Sequence, residues 1–148
     1  MPKILVVDDQ AYIRRLVSDV LVADGYEVQA VGDACSVEGD LTSFRPDLVL
    51  LDLYLDGPEG FDLLKAIKCG CPKLPVVIMT AYDSYRDDPR LSQADGYVIK
   101  RLKFWEEVLA TIEEILTKGA YTRTSADTDV NSSSHLGPRI ATGPASRC

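Results

Sequence analysis

Five residues of this sequence could act together on one anionic ligand and one cation: Asp8 and Asp9, Asp52, Thr80 and Lys100. Each stands where a short apolar run stops: ILVV before Asp8, LVLL before Asp52, VVIM before Thr80 and YVI before Lys100. Alone, each has an ordinary reading. An aspartate or threonine after a strand commonly caps the next helix, and a lysine there is commonly a solvated surface charge. Together they supply carboxylates, a hydroxyl and an ammonium suited to a phosphoryl ligand. Three carboxylates brought within a few ångströms repel, by roughly several kcal/mol per close pair at an effective dielectric of about 20. A hard divalent cation relieves that repulsion, and Mg²⁺ accepts two carboxylates, a carbonyl, waters and a phosphate oxygen. Asp8 and Asp9 therefore read as one half of a cation site, and Asp52 as the other.

The elements that must position these groups follow from the apolar pattern. Ile4–Val7, Leu48–Leu51 and Pro75–Met79 do not alternate with polar residues, which is the pattern of strands covered on both faces. Tyr26–Val31 reads as a short alternating strand, and Gly96–Ile99 as the last one. Between them, Ile13, Leu16, Val17, Val20 and Leu21 repeat at helical spacing up to Asp24-Gly25. Residues 34–44, interrupted by Gly39, predict a weak helix, and Phe61, Leu63, Leu64 and Ile67 a stronger one. The segment 83–95 is polar and contains Pro89, so it holds one or two helical turns at most. The clearest helix is predicted over 104–116, with Phe104, Val108 and Ile112 on one face. Five rounds of strand and helix imply a parallel sheet clothed on both sides. In such a sheet the ligand site lies beyond the carboxyl ends of the strands, where the five residues fall.

Composition narrows the function classes. The chain has 148 residues, enough for one compact domain, and a net charge of −7 that disfavours binding of nucleic-acid phosphates by this domain itself. No apolar run approaches the roughly 18–20 residues of a membrane span, and the lead Met-Pro-Lys-Ile is too short for a signal peptide, so a cytoplasmic location is expected. The four cysteines, 35, 69, 71 and 148, read as reduced thiols: the only histidine, His135, lies far off in a polar stretch and cannot complete a zinc site. From 118 to 148 the chain is rich in Ser, Thr, Gly, Ala and Pro, and is expected to be a disordered tail, a linker or residues added in cloning for expression. Residues 1–117 form the domain.

The stretches KILVVDDQAYIRRLV, PDLVLLDLYLDGPEGFDLLKAIK, LPVVIMTAY and ADGYVIK resemble the receiver domain of two-component response regulators, in the family's order, from residue 3 to about 117. The spacing is specific: 43 residues from Asp9 to Asp52 and 28 from there to Thr80. The resemblance implies an α/β fold, a doubly wound five-stranded parallel sheet of flavodoxin-like order 2-1-3-4-5. It further implies that Asp52 is the phosphoacceptor, supplied by a sensor histidine kinase or a histidine phosphotransfer protein. Asp9 and Asp52 would ligate Mg²⁺ (or Mn²⁺) directly, Asp8 mostly through water, and Tyr54 through its backbone carbonyl. Lys100 would pair with the carboxylates and then a phosphoryl oxygen, and Thr80 would bond another. Tyr97 would turn inward behind Thr80 as the second switch residue. Such a protein is no enzyme beyond its own phosphoryl uptake and loss, and acts through an output domain or a protein target.

Three departures from that pattern stand out. Arg101 follows Lys100 where the family usually has a cis proline; a non-proline cis bond costs about 2.5–4 kcal/mol, so a trans bond is expected. Asp56 replaces a common proline, with Pro58 two residues on and Gly60 kept, and reads as a turn residue. Only 20 residues separate Thr80 from Lys100, so the fourth helix should be short or irregular and a dimer through that face is not assured. Among rivals, a flavodoxin would need glycines and hydroxyls after the first strand, where Asp8 and Asp9 would repel its phosphate. A haloacid-dehalogenase-type phosphatase would need Asp-x-Asp where this chain has Asp-Asp-Gln. The serious alternative is a pseudo-receiver, a protein-binding module that works without phosphorylation.

Overall fold

The computed structural model describes residues 1–55 and 59–133, with side chains for 1–55 and 60–119. In chain order the elements are β1 (Lys3–Val7), α1 (Ala11–Ala23), β2 (Glu27–Val31), α2 (Val37–Ser43), β3 (Leu48–Asp52), α3 (Glu59–Gly70), β4 (Val76–Thr80), β5 (Gly96–Ile99) and α4 (Phe104–Ser133). The five strands form one sheet of order β2-β1-β3-β4-β5, and every neighbouring pair is parallel. The fold inferred from the apolar runs and from the resemblance is the fold observed.

Alternate strand residues feed two cores, because successive side chains in a strand point to opposite faces. On one face Leu5, Val7, Val49, Leu51, Val76 and Ile78 meet Val37 and Leu41 of α2 and Phe61, Leu64 and Ile67 of α3. On the other, Ile4, Val6, Leu48, Leu50, Val77 and Met79 meet Val17 and Leu21 of α1 and Phe104, Val108 and Ile112 of α4. Covering on both sides is why β1, β3 and β4 lack polar alternation. The register then aligns the chemistry. Val7 pairs with Leu51, so Asp8 and Asp52 leave their strands at one level. Asp52 pairs with Met79 and Thr80 with Ile99, so Thr80 and Lys100 each stand one step further on.

Turns set the strand ends. Gly25, at φ 99°, closes α1 in a left-handed conformation that costs glycine little, and the Tyr26 N–H donates to the Leu21 carbonyl at 3.1 Å. Gly60 permits a close approach: a Cβ there would run into the backbone of Leu53. Its N–H donates to the Leu53 carbonyl at 3.0 Å, pinning the start of α3 under the strand that ends in Asp52.

Where a fourth helix of regular length would stand there are two 3-10 turns, Asp83–Tyr85 and Pro89–Leu91. Pro89 lacks an N–H, and the Asp88 carboxylate accepts the Arg90 N–H at 2.9 Å, so the chain restarts rather than continuing one helix. The irregular fourth helix is thus as expected. The last helix runs beyond the predicted 104–116, to Ser133. Its apolar repeat stops at Leu116, but no proline breaks the backbone ladder between Thr117 and Ser133.

Among the described residues there is no cis peptide bond, so Lys100–Arg101 is trans, as expected. The loop that follows turns instead at Lys103, whose φ is 58°. Cys35 and Cys69 carry free thiols. Asp56 and residues 134–148 lie outside the described residues.

Candidate functional site

The loops at the carboxyl ends of β1, β3, β4 and β5 bring the acidic residues together. Ligand oxygens of Asp8, Asp9 and Asp52 all lie within 4.8 Å of one another. Asp8 is fully buried, Asp52 is 5% exposed, and Asp9 faces solvent. A group that deeply buried needs its charge answered. The Lys100 ammonium does so, with Nζ 2.5 Å from Asp8 Oδ2 and 3.5 Å from Asp52 Oδ2. The remaining oxygens take main-chain donors: Gln10 N–H to Asp8 Oδ1 at 2.9 Å, and Tyr54 N–H to Asp52 Oδ1 at 3.3 Å.

Three carboxylates against one ammonium leave two negative charges, the complement of a divalent cation. Asp52 shows the strain of that balance. Its carboxyl is raised to about 6 overall: burial, and after it Asp8, push it up against the pull of Lys100 and the Tyr54 N–H. A cavity of about 310 Å³ opens beside these groups, lined by Asp9, Gln10, Asp52 and Lys100 with Tyr54, Ala81 and Tyr82. Oxygen ligands, a matching charge deficit and a solvent-open side fit Mg²⁺ or Mn²⁺.

Thr80 and Tyr97 stand just behind. Thr80 is fully buried, and its hydroxyl accepts the Tyr82 N–H at 3.2 Å. The Tyr97 hydroxyl donates to the Tyr82 carbonyl at 2.7 Å, while its ring packs at the edge of the α2–α3 core beneath Arg86, 4.9 Å away. The main chain of Tyr82 therefore links Thr80 to Tyr97.

Several participants were not singled out from sequence. Gln10 closes an aspartate turn on Asp8, a signal present in Asp-Asp-Gln. Arg14 donates from Nη1 to the Asp8 carbonyl at 2.7 Å, in space left by Gly32, where a Cβ would meet that nitrogen at 2.6 Å. Tyr82 and Tyr85 come from a polar segment without periodicity, so no pattern flagged them.

An acidic pocket of this kind, at the carboxyl end of a 2-1-3-4-5 parallel sheet, marks the signalling receivers among doubly wound folds. Residues 4–122 match the response regulator receiver domain, and the chain belongs to that family. It is 41% identical over 80 residues to sporulation initiation phosphotransferase F of Bacillus subtilis, covering 54% of this chain and 64% of that protein. Over 120 residues it is 32% identical to the two-component response regulator PhoP of Pseudomonas aeruginosa, covering 80% of this chain and 53% of the relative. Among solved structures, the response regulator TrrA of Thermotoga maritima in complex with Mg²⁺ and BeF superposes with a TM-score of 0.72 at 32% identity, covering 77% of this chain and 98% of TrrA. TrrA is also known in complex with the histidine kinase ThkA, and that copy superposes equally well, at a TM-score of 0.72. No described helix is long and apolar enough to cross a membrane.

Proposed function

We propose that this chain is a phosphorylatable switch, that Asp52 is its phosphoacceptor, and that residues 1–117 are the receiver unit. The observation that carries the reading is the convergence of Asp8, Asp9 and Asp52 within 4.8 Å, beside a lysine that reaches two of them. The donor is a histidine kinase or a phosphotransfer protein acting in the cytoplasm, in keeping with the ThkA–TrrA pair. In the transfer, an Asp52 oxygen attacks the phosphorus of a phosphohistidine. The P–N bond breaks, its electron pair returns to the imidazole, and an acyl phosphate forms on Asp52.

Positioning and charge neutralisation are most of what such a transfer asks of a protein. Asp9, Asp52 and the Tyr54 carbonyl, with Asp8 through water, are the residues that would hold Mg²⁺, which supplies neutralisation of the phosphoryl oxygens. Lys100, already poised between Asp8 and Asp52, can turn to one phosphoryl oxygen. Thr80, whose hydroxyl oxygen accepts the Tyr82 N–H, has its own O–H to donate to another. A shift of Thr80 toward that oxygen would draw on Tyr82, whose N–H it holds and whose carbonyl holds the Tyr97 hydroxyl, so the new charge biases two arrangements of one surface. A pseudo-receiver role gains little support, because Lys100 reaches the pocket despite the Arg101 that follows it.

The test is intact mass after incubation with a small phosphodonor. Uptake of one phosphate is expected with Mg²⁺ and none with a chelator or in Asp52→Ala. Equal uptake by Asp52→Ala, or none by the unsubstituted chain, would defeat the proposal.

A further inference from the structure

Tyr54 and Tyr82 are the two aromatic residues lining the cavity beside Asp52, each two residues beyond a site residue. Neither is held by burial: Tyr54 is half-buried and Tyr82 is 55% exposed. Their rings touch edge-on at 5.5 Å. A third ring, Tyr85, stands behind them without lining the cavity. It touches Tyr54 at 5.8 Å, Tyr82 at 6.3 Å and Phe61 of α3 at 5.6 Å, and its hydroxyl is hydrogen-bonded to that of Tyr54. Phe61 is buried, and Arg90 covers its ring at 3.7 Å, so Tyr85 is fastened to the core on its far side.

We infer that Tyr85 is a positioning residue: it holds Tyr54 and Tyr82 as a wall against water beside Asp52, and so sets how long a phosphoryl group remains there. The inference rests on the phosphoacceptor reading above and adds to it a determinant of lifetime, placed on the 3-10 turn that stands in for the fourth helix. Loss of the group is attack by water oxygen on phosphorus. The bond from phosphorus to the Asp52 oxygen breaks, the electron pair returns to the carboxylate, and dihydrogen phosphate leaves with both water protons. Crowding the approach to phosphorus slows this step, because the attacking water must be admitted and aligned.

The test uses the full chain, loaded with acetyl phosphate and Mg²⁺ and then freed of donor, with phosphate loss followed by intact mass. Tyr85→Phe keeps the ring contacts and deletes the hydroxyl bond; Tyr85→Ala deletes both. Loss is expected to quicken about threefold in the first and about tenfold in the second. Ile112→Val, in the opposite core, should loosen the fold without changing the rate. Rates ordered Ala above Phe above unsubstituted, with Ile112→Val unchanged, support the inference. Unchanged rates in both Tyr85 variants overturn it while leaving the phosphoacceptor reading intact, and so does equal quickening by Ile112→Val. Failure of the unsubstituted chain to load overturns both.

Discussion

Asp52 sits where burial and Asp8 oppose ionisation, while Lys100 and the Tyr54 N–H favour it, and burial wins. Its proton is held more tightly in the folded chain, at about 6, than in the unfolded chain, near 3.8. The stabilisation this gives the metal-free fold is complete below the unfolded value and is lost as pH rises through about 6. Relative to Asp52→Asn, which does not titrate, the unsubstituted chain should lose about 2–3 kcal/mol between acid and neutral pH. Denaturant titrations in chelator at both pH values check this; a constant difference contradicts it. Saturating Mg²⁺ should shrink the gap, since binding to the folded state alone is stabilising. Lys100→Met removes the ammonium shared by Asp8 and Asp52 and is expected to cut phosphate uptake at least about tenfold, read by the same mass assay. At this scale the acids, Thr80 and Lys100 were legible in the sequence because strand register puts them at one end of the sheet. Arg14, Tyr82 and Tyr85 were not. Arg14 acts through a main-chain carbonyl, and the tyrosines through ring contacts that need the folded loop.

At the scale of elements, the approach of α3 to β3 depends on Gly60. Gly60→Ala would press a methyl group into the Leu53 backbone, and a shift there moves Asp52 as well. A loss of about 1–3 kcal/mol in unfolding free energy is expected, with slowed phosphate uptake; a neutral effect on both would contradict the packing described. A second tie joins the end of α3 to the sheet: Lys68 Nζ bonds Asp95 at 2.7 Å and the Leu74 carbonyl at 2.8 Å, and Asp95 also accepts the Val76 N–H at 2.9 Å. Lys68 is buried, so Asp95→Ala should cost about 1–3 kcal/mol by thermal or chemical unfolding. Runs such as LVLL and VVIM told strand from helix through their lack of alternation. The length of α4 was hidden, because the apolar periodicity that marks a helix in the sequence ends at Leu116. The pairing of Lys68 with Asp95, 27 residues apart, is a product of topology that neither local stretch reveals.

For the whole molecule, Ile115 and Leu116 are, among the residues whose side chains are described, the last apolar ones packed on the second core. A chain ended at Thr117 should keep its unfolding midpoint within a few degrees and keep phosphate uptake; loss of either would show that the remaining residues belong to the unit. The chain spans 64% and 53% of the lengths of the two curated relatives described. The pocket is the part on which every other conclusion depends. Its most direct test is to load the chain with a small phosphodonor, reduce it with borohydride, and sequence the peptides by tandem mass spectrometry. Conversion of residue 52 to homoserine, dependent on Mg²⁺ and absent at positions 8 and 9, is the expected result. A label at another carboxylate, or none at all, would contradict the account.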